Sequence, residues 1–279
     1  MTDATSAQLD FVAKSAAAAR PTRMRNLGER GAGWALPVAS LVLWQGASSL
    51  GWIGESFLPS PLAVLKAAWR LTLSGQLPEN VWVSFLRAMA GLVVGGGIGF
   101  ALGLANGLSR VSFGLTDTTL QMARNVPHLA LIPLVIFWFG IEEEAKLFLV
   151  ALGVFFPLYV NTLHGVRSVD PQLIEMARSY GFDRWHLFWR VILPGALPSI
   201  FVGLRFALGV MWLTLIVAET IAAQSGIGYM AMQGREFMQV DVVVLAILIY
   251  AMLGKLADAT ACALERRCLS WHPAFQSKP

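Results

Sequence analysis

Long apolar runs separated by short polar connections dominate the chain from residue 31 onward. A helix needs about 20 mostly apolar residues to cross the hydrocarbon of a bilayer. Stretches 31–54, 88–109 and 147–166 carry no charge over such a length, and 125–141 is also charge-free and extends back through 115–120. Two further runs have polar exceptions: 196–218 contains Arg205, and 242–264 carries Lys255 and Asp258 towards its far end. The pattern predicts six membrane-spanning helices, hence an all-α integral membrane protein. Between the first two spans, residues 59–73 read as a short helix. Ser60 can cap it, Pro61 suits its first turn, and Leu62, Leu65, Ala68, Trp69 and Leu71 leave Lys66 and Arg70 on the other side. This helix is expected along the outer membrane surface.

Basic residues orient the spans. Lys14, Arg20, Arg23, Arg25 and Arg30 precede the first, and Arg266, Arg267 and Lys278 follow the last, so both termini are expected in the cytoplasm. The second and fourth connections then fall inside, with Arg110 in one and Arg167, Arg178, Arg184 and Arg190 in the other. The connections outside are acidic or balanced: Glu142, Glu143 and Glu144 against Lys146, and Arg235 beside Glu236 and Asp241. Residues 1–30 read as a disordered or weakly helical cytoplasmic tail, 31–265 as the six-span domain, and 266–279 as a second cytoplasmic tail.

Composition agrees with lipid as the solvent. Of 279 residues 56% are hydrophobic and only 14% charged, against about 25% in a soluble domain. Lys plus Arg exceed Asp plus Glu by 21 to 17, but they are scattered at the ends of apolar runs rather than gathered into a nucleic-acid patch. Cys262 and Cys268 have neither metal-ligand spacing nor a disulfide framework, and their redox state stays open.

Four groups of residues are candidates for a special role. Gly91, Gly95, Gly99, Gly103 and Gly107 recur every four residues and make a groove for a neighbouring helix. Nothing resembles a phosphate-binding Gly-rich loop, so no ATP site is expected in this chain. In the third span Gln121, Arg124, Asn125 and His128 share one face of a continuous helix, which Pro127 and Pro133 are expected to kink. An intramembrane Arg is costly unless it faces protein or water, so this face is either a buried polar network or a solute pathway. Glu219 or Asp117 could neutralise Arg124. Lys255 and Asp258 are expected to pair with each other. The fourth connection, 167–194, is a cytoplasmic amphipathic insertion: Asp170 and Pro171 start a helix, Gly181 stops it, and Asp183 starts a second one rich in Trp185, Phe188 and Trp189. It fits either a lipid surface or a docking surface.

That insertion carries a resemblance. Glu175, Met176 and Ala177, then three residues, Gly181, nine residues, and Val191, Ile192, Leu193 and Pro194 resemble the cytoplasmic loop of binding-protein-dependent ABC importer permeases, with Met176 and Val191 as apolar departures. The segments RNVPHLALIPL, FWFG, ILPGALPS and RFALGVMWLTLIVAE are similar to the aliphatic-sulfonate branch of that family, with taurine and nitrate permeases as near relatives. The resemblance implies a six-span type I importer permease in the inner membrane, working as a homodimer with two cytoplasmic ATPase subunits that bind the ATP and one extracytoplasmic sulfonate-binding protein. It also implies that Glu175, Met176, Ala177, Gly181, Leu193 and Pro194 couple the permease to the ATPase, and that the chain is no enzyme. A proton-driven carrier would need a carboxylate in mid-span, and an intramembrane serine protease would need a Ser facing a His; Ser225 lacks the Gly-rich context of such a nucleophile.

Overall fold

The computed structural model describes residues 25–54 and 57–271, with side chains from residue 35 onward except at 222. Most of the two expected tails, 1–24 and 272–279, lies outside the described residues. The described residues are helical, without strands. They form α1 (Arg25–Ser49), α2 (Pro61–Leu73), α3 (Gln76–Gly91), α4 (Gly97–Leu108), α5 (Arg110–Arg124), α6 (Ile132–Phe139), α7 (Glu143–Arg167), α8 (Pro171–Ser179), α9 (Arg184–Leu187), α10 (Leu193–Ala222), α11 (Ile227–Glu236) and α12 (Val240–Cys268). The chain divides after Leu62 into an N-terminal unit containing α1 and a larger unit from Ala63 onward. Helix α1 already includes Arg25–Arg30, which the sequence assigned to a tail.

Four helical stretches are long and apolar enough to cross a membrane: Gln76–Leu108, Glu143–Arg167, Arg184–Ile221 and Val240–Cys268. The bent pair Arg110–Arg124 and His128–Phe139 makes a fifth if counted as one span. The expected sixth, α1, does not reach that standard among the described residues; Pro37, Gln45 and several Gly and Ser residues dilute its apolar run. Helix α2 forms over the expected residues, and a face other than most of the expected apolar stripe packs inside the chain. Val64, Ala67 and Leu71 are buried, while Leu62, Leu65 and Trp69 are exposed. Apolar residues line both sides of this helix, so the periodicity alone could not choose the buried one.

The larger unit is built around α7, which packs most extensively on α10 and, on another side, on α3 and α4. The glycine stripe explains the second contact. A Cβ at Gly91 would run into Val150, at Gly95 into the Ala151 backbone, at Gly99 into the Phe155 carbonyl, at Gly103 into Tyr159 and Thr162, and at Gly107 into Val166. Successive glycines thus meet successive turns of α7, at backbone-to-backbone range. A spacing of four residues overshoots one α-helical turn by about 40° and would carry the stripe about 160° around the axis over four steps. The π turn at Leu92–Gly96, joining α3 to α4, takes more residues per revolution and winds part of that drift back. Packing between α7 and α10 uses small residues of both helices: a Cβ at Gly165 of α7 would lie 2.8 Å from the Ala196 carbonyl, and one at Gly203 of α10 would lie 2.5 Å from Asn161 Cβ.

Candidate functional site

At the end of the bundle where α4 finishes, buried Asn106 ties three helices together. Its amide donates to Thr116 Oγ1 (2.7 Å) and to the Tyr159 hydroxyl (2.9 Å), and its side-chain carbonyl accepts from Ser112 Oγ (2.6 Å). Arg167 donates to the Asn106 backbone carbonyl and lies 3.6 Å over the Phe113 ring. The polar insertion follows from this end of α7. Asp170 caps α8 by accepting from Gln172 N (2.8 Å). The helix ends in a reciprocal pair of bonds, Phe182 N to Ala177 O (3.1 Å) and Gly181 N to Arg178 O (2.9 Å), with Gly181 at φ +82. A Cβ at Gly181 would meet nothing within 4 Å, so conformation, not space, demands glycine there.

Asp183 starts α9, accepting from His186 N (2.8 Å) and lying 2.6 Å from His186 Nδ1. The backbone N–H of His186, and then its ring, hold the Asp183 carboxyl below its ordinary value. Met176, Tyr180, Trp185 and Trp189 are exposed along this insertion, and so is Glu175. Ala177 is buried inside the chain, so its small side chain serves the internal packing of α8 and not a space left open to a partner. Leu193 and Pro194 open α10 after a π turn at Phe188–Ile192 and are half-buried.

The third span is not one helix. α5 ends at Arg124, the chain breaks at Pro127, and the pieces on either side are bent by 79°. A 3-10 turn, His128–Leu131, leads into α6, where Pro133 sits in the first turn and so opens a helix instead of kinking one. The break separates the expected face. Gln121, Arg124 and Asn125 are exposed at the end of α5, whereas His128 turns inward, its Nε2 lying 3.1 Å from Thr214 Oγ1 of α10. Arg124 makes no hydrogen bond or ion pair among the described residues. Asp117 reaches only Gln121, at 3.5 Å, and Glu219 is engaged elsewhere, so neither neutralises Arg124. Asp258 likewise has a nearer partner than Lys255: Arg205 Nε at 3.0 Å, against 3.6 Å for Lys255 Nζ.

Glu219 belongs to a buried network at the opposite end of the bundle. Both its oxygens lie 2.8 Å from Ser84 Oγ, and it accepts from Arg87 Nη1 (2.8 Å), Gly228 N (2.9 Å) and the Tyr250 hydroxyl (2.8 Å). Arg87 also donates from Nε and Nη2 to the two oxygens of Glu143 (2.6 Å each), and from Nη1 and Nη2 to Ser225 O (2.6 Å) and Ser225 Oγ (2.9 Å). Each of its five N–H donors therefore has an acceptor. Lys146 Nζ lies 3.0 Å from Glu143, so two cations balance two carboxylates. The α10–α11 turn is drawn in by Gly226 N to Asn80 Oδ1 (2.7 Å) and Ile227 N to Ser84 Oγ (2.9 Å). Ser225 is thus held by an Arg and, among the described residues, has no His hydrogen-bonded to it.

The chain matches the family described as binding-protein-dependent transport system inner membrane component over residues 95–270. It is 61% identical to a relative from Escherichia coli strain K12 named as an aliphatic sulfonates transport permease, SsuC, over 89% of this chain and 95% of the relative. A second relative of that name, from Bacillus subtilis strain 168, is 42% identical over 89% of this chain and 92% of its own length. The E. coli taurine transport system permease TauC is 39% identical, covering 85% and 88%. Among solved structures, the MetNI methionine ABC transporter has a chain of the same fold, with a TM-score of 0.51 and 16% identity over 71% of this chain and 97% of that one. The chain belongs to the binding-protein-dependent ABC importer permeases, multi-pass inner-membrane subunits that work with a binding protein and an ATPase.

Proposed function

We propose that this chain is the permease of an importer for aliphatic sulfonates. The observation that carries the reading is the 61% identity with the sulfonate permease relative, spread over 89% of the chain. Two copies form the pathway, each with both termini in the cytoplasm, and two ATPase subunits bind the ATP. An extracytoplasmic protein delivers the sulfonate. The insertion 167–194 docks in the ATPase: Gly181 supplies the stop that sets the angle after α8, Glu175 and Met176 face outward from α8, and Leu193 and Pro194 pass movement into α10. Ala177 takes part by packing α8 against its own chain.

Uptake into proteoliposomes containing permease, ATPase and loaded binding protein tests the substrate. Labelled alkanesulfonates should enter in an ATP-dependent manner and outcompete taurine and nitrate. Preferential uptake of either of those would reassign the substrate, and uptake without ATP would remove the importer reading.

A further inference from the structure

Arg87 grips two carboxylates that differ in one respect. Glu219 is wholly shielded and Glu143 is 61% exposed, while Arg87 itself is 7% exposed. Water can compete for Glu143 and cannot reach Glu219. Each group also keeps a partner if the Arg87–Glu143 arm parts. Glu143 retains Lys146 at 3.0 Å and, as the first residue of α7, the favourable end of that helix's dipole. Arg87 retains Glu219 and Ser225. The arm thus has two arrangements in which every charge remains paired.

The local packing says what would move. The tight glycine contact between α3 and α7 begins at Gly91 and Val150, one helical turn beyond Arg87 and two beyond Glu143. Parting of the arm therefore leaves the helices packed, since Ala145 and Leu149 near the start of α7 also sit in a buried cluster with Ile132, Val135 and Ala218, and frees only the Glu143 side chain and the turn before it. That turn contains Gly140 at φ +73 and is the outer attachment of α6. A cavity of about 290 Å³, lined by Leu86, Arg87, Ala90, Glu143, Glu144 and Leu147, gives the side chain space. With all five donors occupied and its charge balanced, Arg87 has no capacity left for an anionic solute.

We infer that Arg87 is a positioning residue of the transport cycle, locking the α6–α7 turn to the α10–α11 turn through a permanent Glu219 arm and a releasable Glu143 arm. This rests on the importer reading, which the parental complex tests first by showing ATP hydrolysis stimulated by loaded binding protein.

In the same reconstituted complex, Glu143→Gln should assemble normally. Its hydrolysis without binding protein should rise by roughly fivefold or more, and its stimulation ratio should fall correspondingly. Glu144→Gln, which alters the same cavity wall without touching Arg87, should behave as the parent. A parental ratio in Glu143→Gln overturns the inference, and so does an equal change in Glu144→Gln, which would make the effect one of surface charge. Loss of assembly in Glu143→Gln with an unchanged ratio per assembled complex also overturns it, by showing a purely structural pair.

Discussion

Glu219 has no water to fall back on, so its charge depends wholly on the donors around it. Replacing it with Gln leaves the shape and removes the charge opposite Arg87, which then sits buried with one carboxylate, itself shared with Lys146. Breaking a buried pair in this way costs about 3–5 kcal/mol. Glu219→Gln is therefore expected to lower the thermal midpoint of the detergent-solubilised permease strongly, and Ser84→Ala by less, since Ser84 is neutral and Glu219 would keep its charged donor. A Glu219→Gln midpoint equal to the parental one would remove the structural weight placed on this pair. Little of the network was legible beforehand. Arg87 stands one residue before the charge-free run at 88–109 and reads there as an ordinary membrane flank. Its acceptors lie 56, 132 and 138 residues away, a distance no local spacing reveals. Glu219 itself was visible as a polar residue at a span's end, but its partner was not.

The glycine stripe was legible because its repeat is local and its consequence, close approach of a backbone, follows from the missing side chain alone. It also contains an internal control. Gly95 lies against the Ala151 backbone, whereas Gly97, two residues on, has nothing within 4 Å of its would-be Cβ. Alanine at Gly97 should leave stability unchanged or raise it by up to about 1 kcal/mol, the ordinary helix preference of Ala over Gly. Alanine at Gly95 must push two backbones apart and should destabilise the same helix. Comparing the two thermal midpoints checks this, and similar behaviour at both positions would show that the stripe is not a packing surface. The third span shows the opposite case. Spacings of three, four and seven place Gln121, Arg124, Asn125 and His128 together only if the helix continues, and Pro127 instead marks the place where it stops. The proline was readable, but a kink and a 79° break differ only in what the next helix packs against. Here that is the cluster of Ile132, Val135, Ala145, Leu149 and Ala218, contributed by α6, α7 and α10.

At the scale of the whole molecule, the orientation drawn from Lys and Arg makes the network the outer end and the insertion the inner end of the bundle. Cysteine at Arg178 should then resist an impermeant thiol reagent applied to intact cells, while cysteine at exposed Phe237, in the α11–α12 connection, should react; the reverse result would invert the bundle. Arg124 stands about 21 Å along the axis of α5 from Arg110, at the bend of the pair that makes the fifth span if counted as one. The carboxylates that could have neutralised it are accounted for, Glu219 by Arg87 and Asp117 by a contact that reaches only Gln121. An Arg within a span cannot face lipid tails without a large cost, so the exposed end of α5 calls for water or a protein partner beside it. We propose that this end of α5 faces the pathway, where a sulfonate, anionic at all physiological pH values, would supply the missing counter-charge in passing. A charge-assisted contact of this kind contributes about 1.5–3 kcal/mol, so Arg124→Gln should reduce uptake by roughly tenfold or more. Arg124→Lys, which keeps the charge and loses the planar fork, should retain part of it. Assembly with the ATPase and hydrolysis without substrate should stay parental in both. Uptake at the parental rate in Arg124→Gln, or loss of assembly in place of transport, would return Arg124 to a structural role and leave the pathway without its cation.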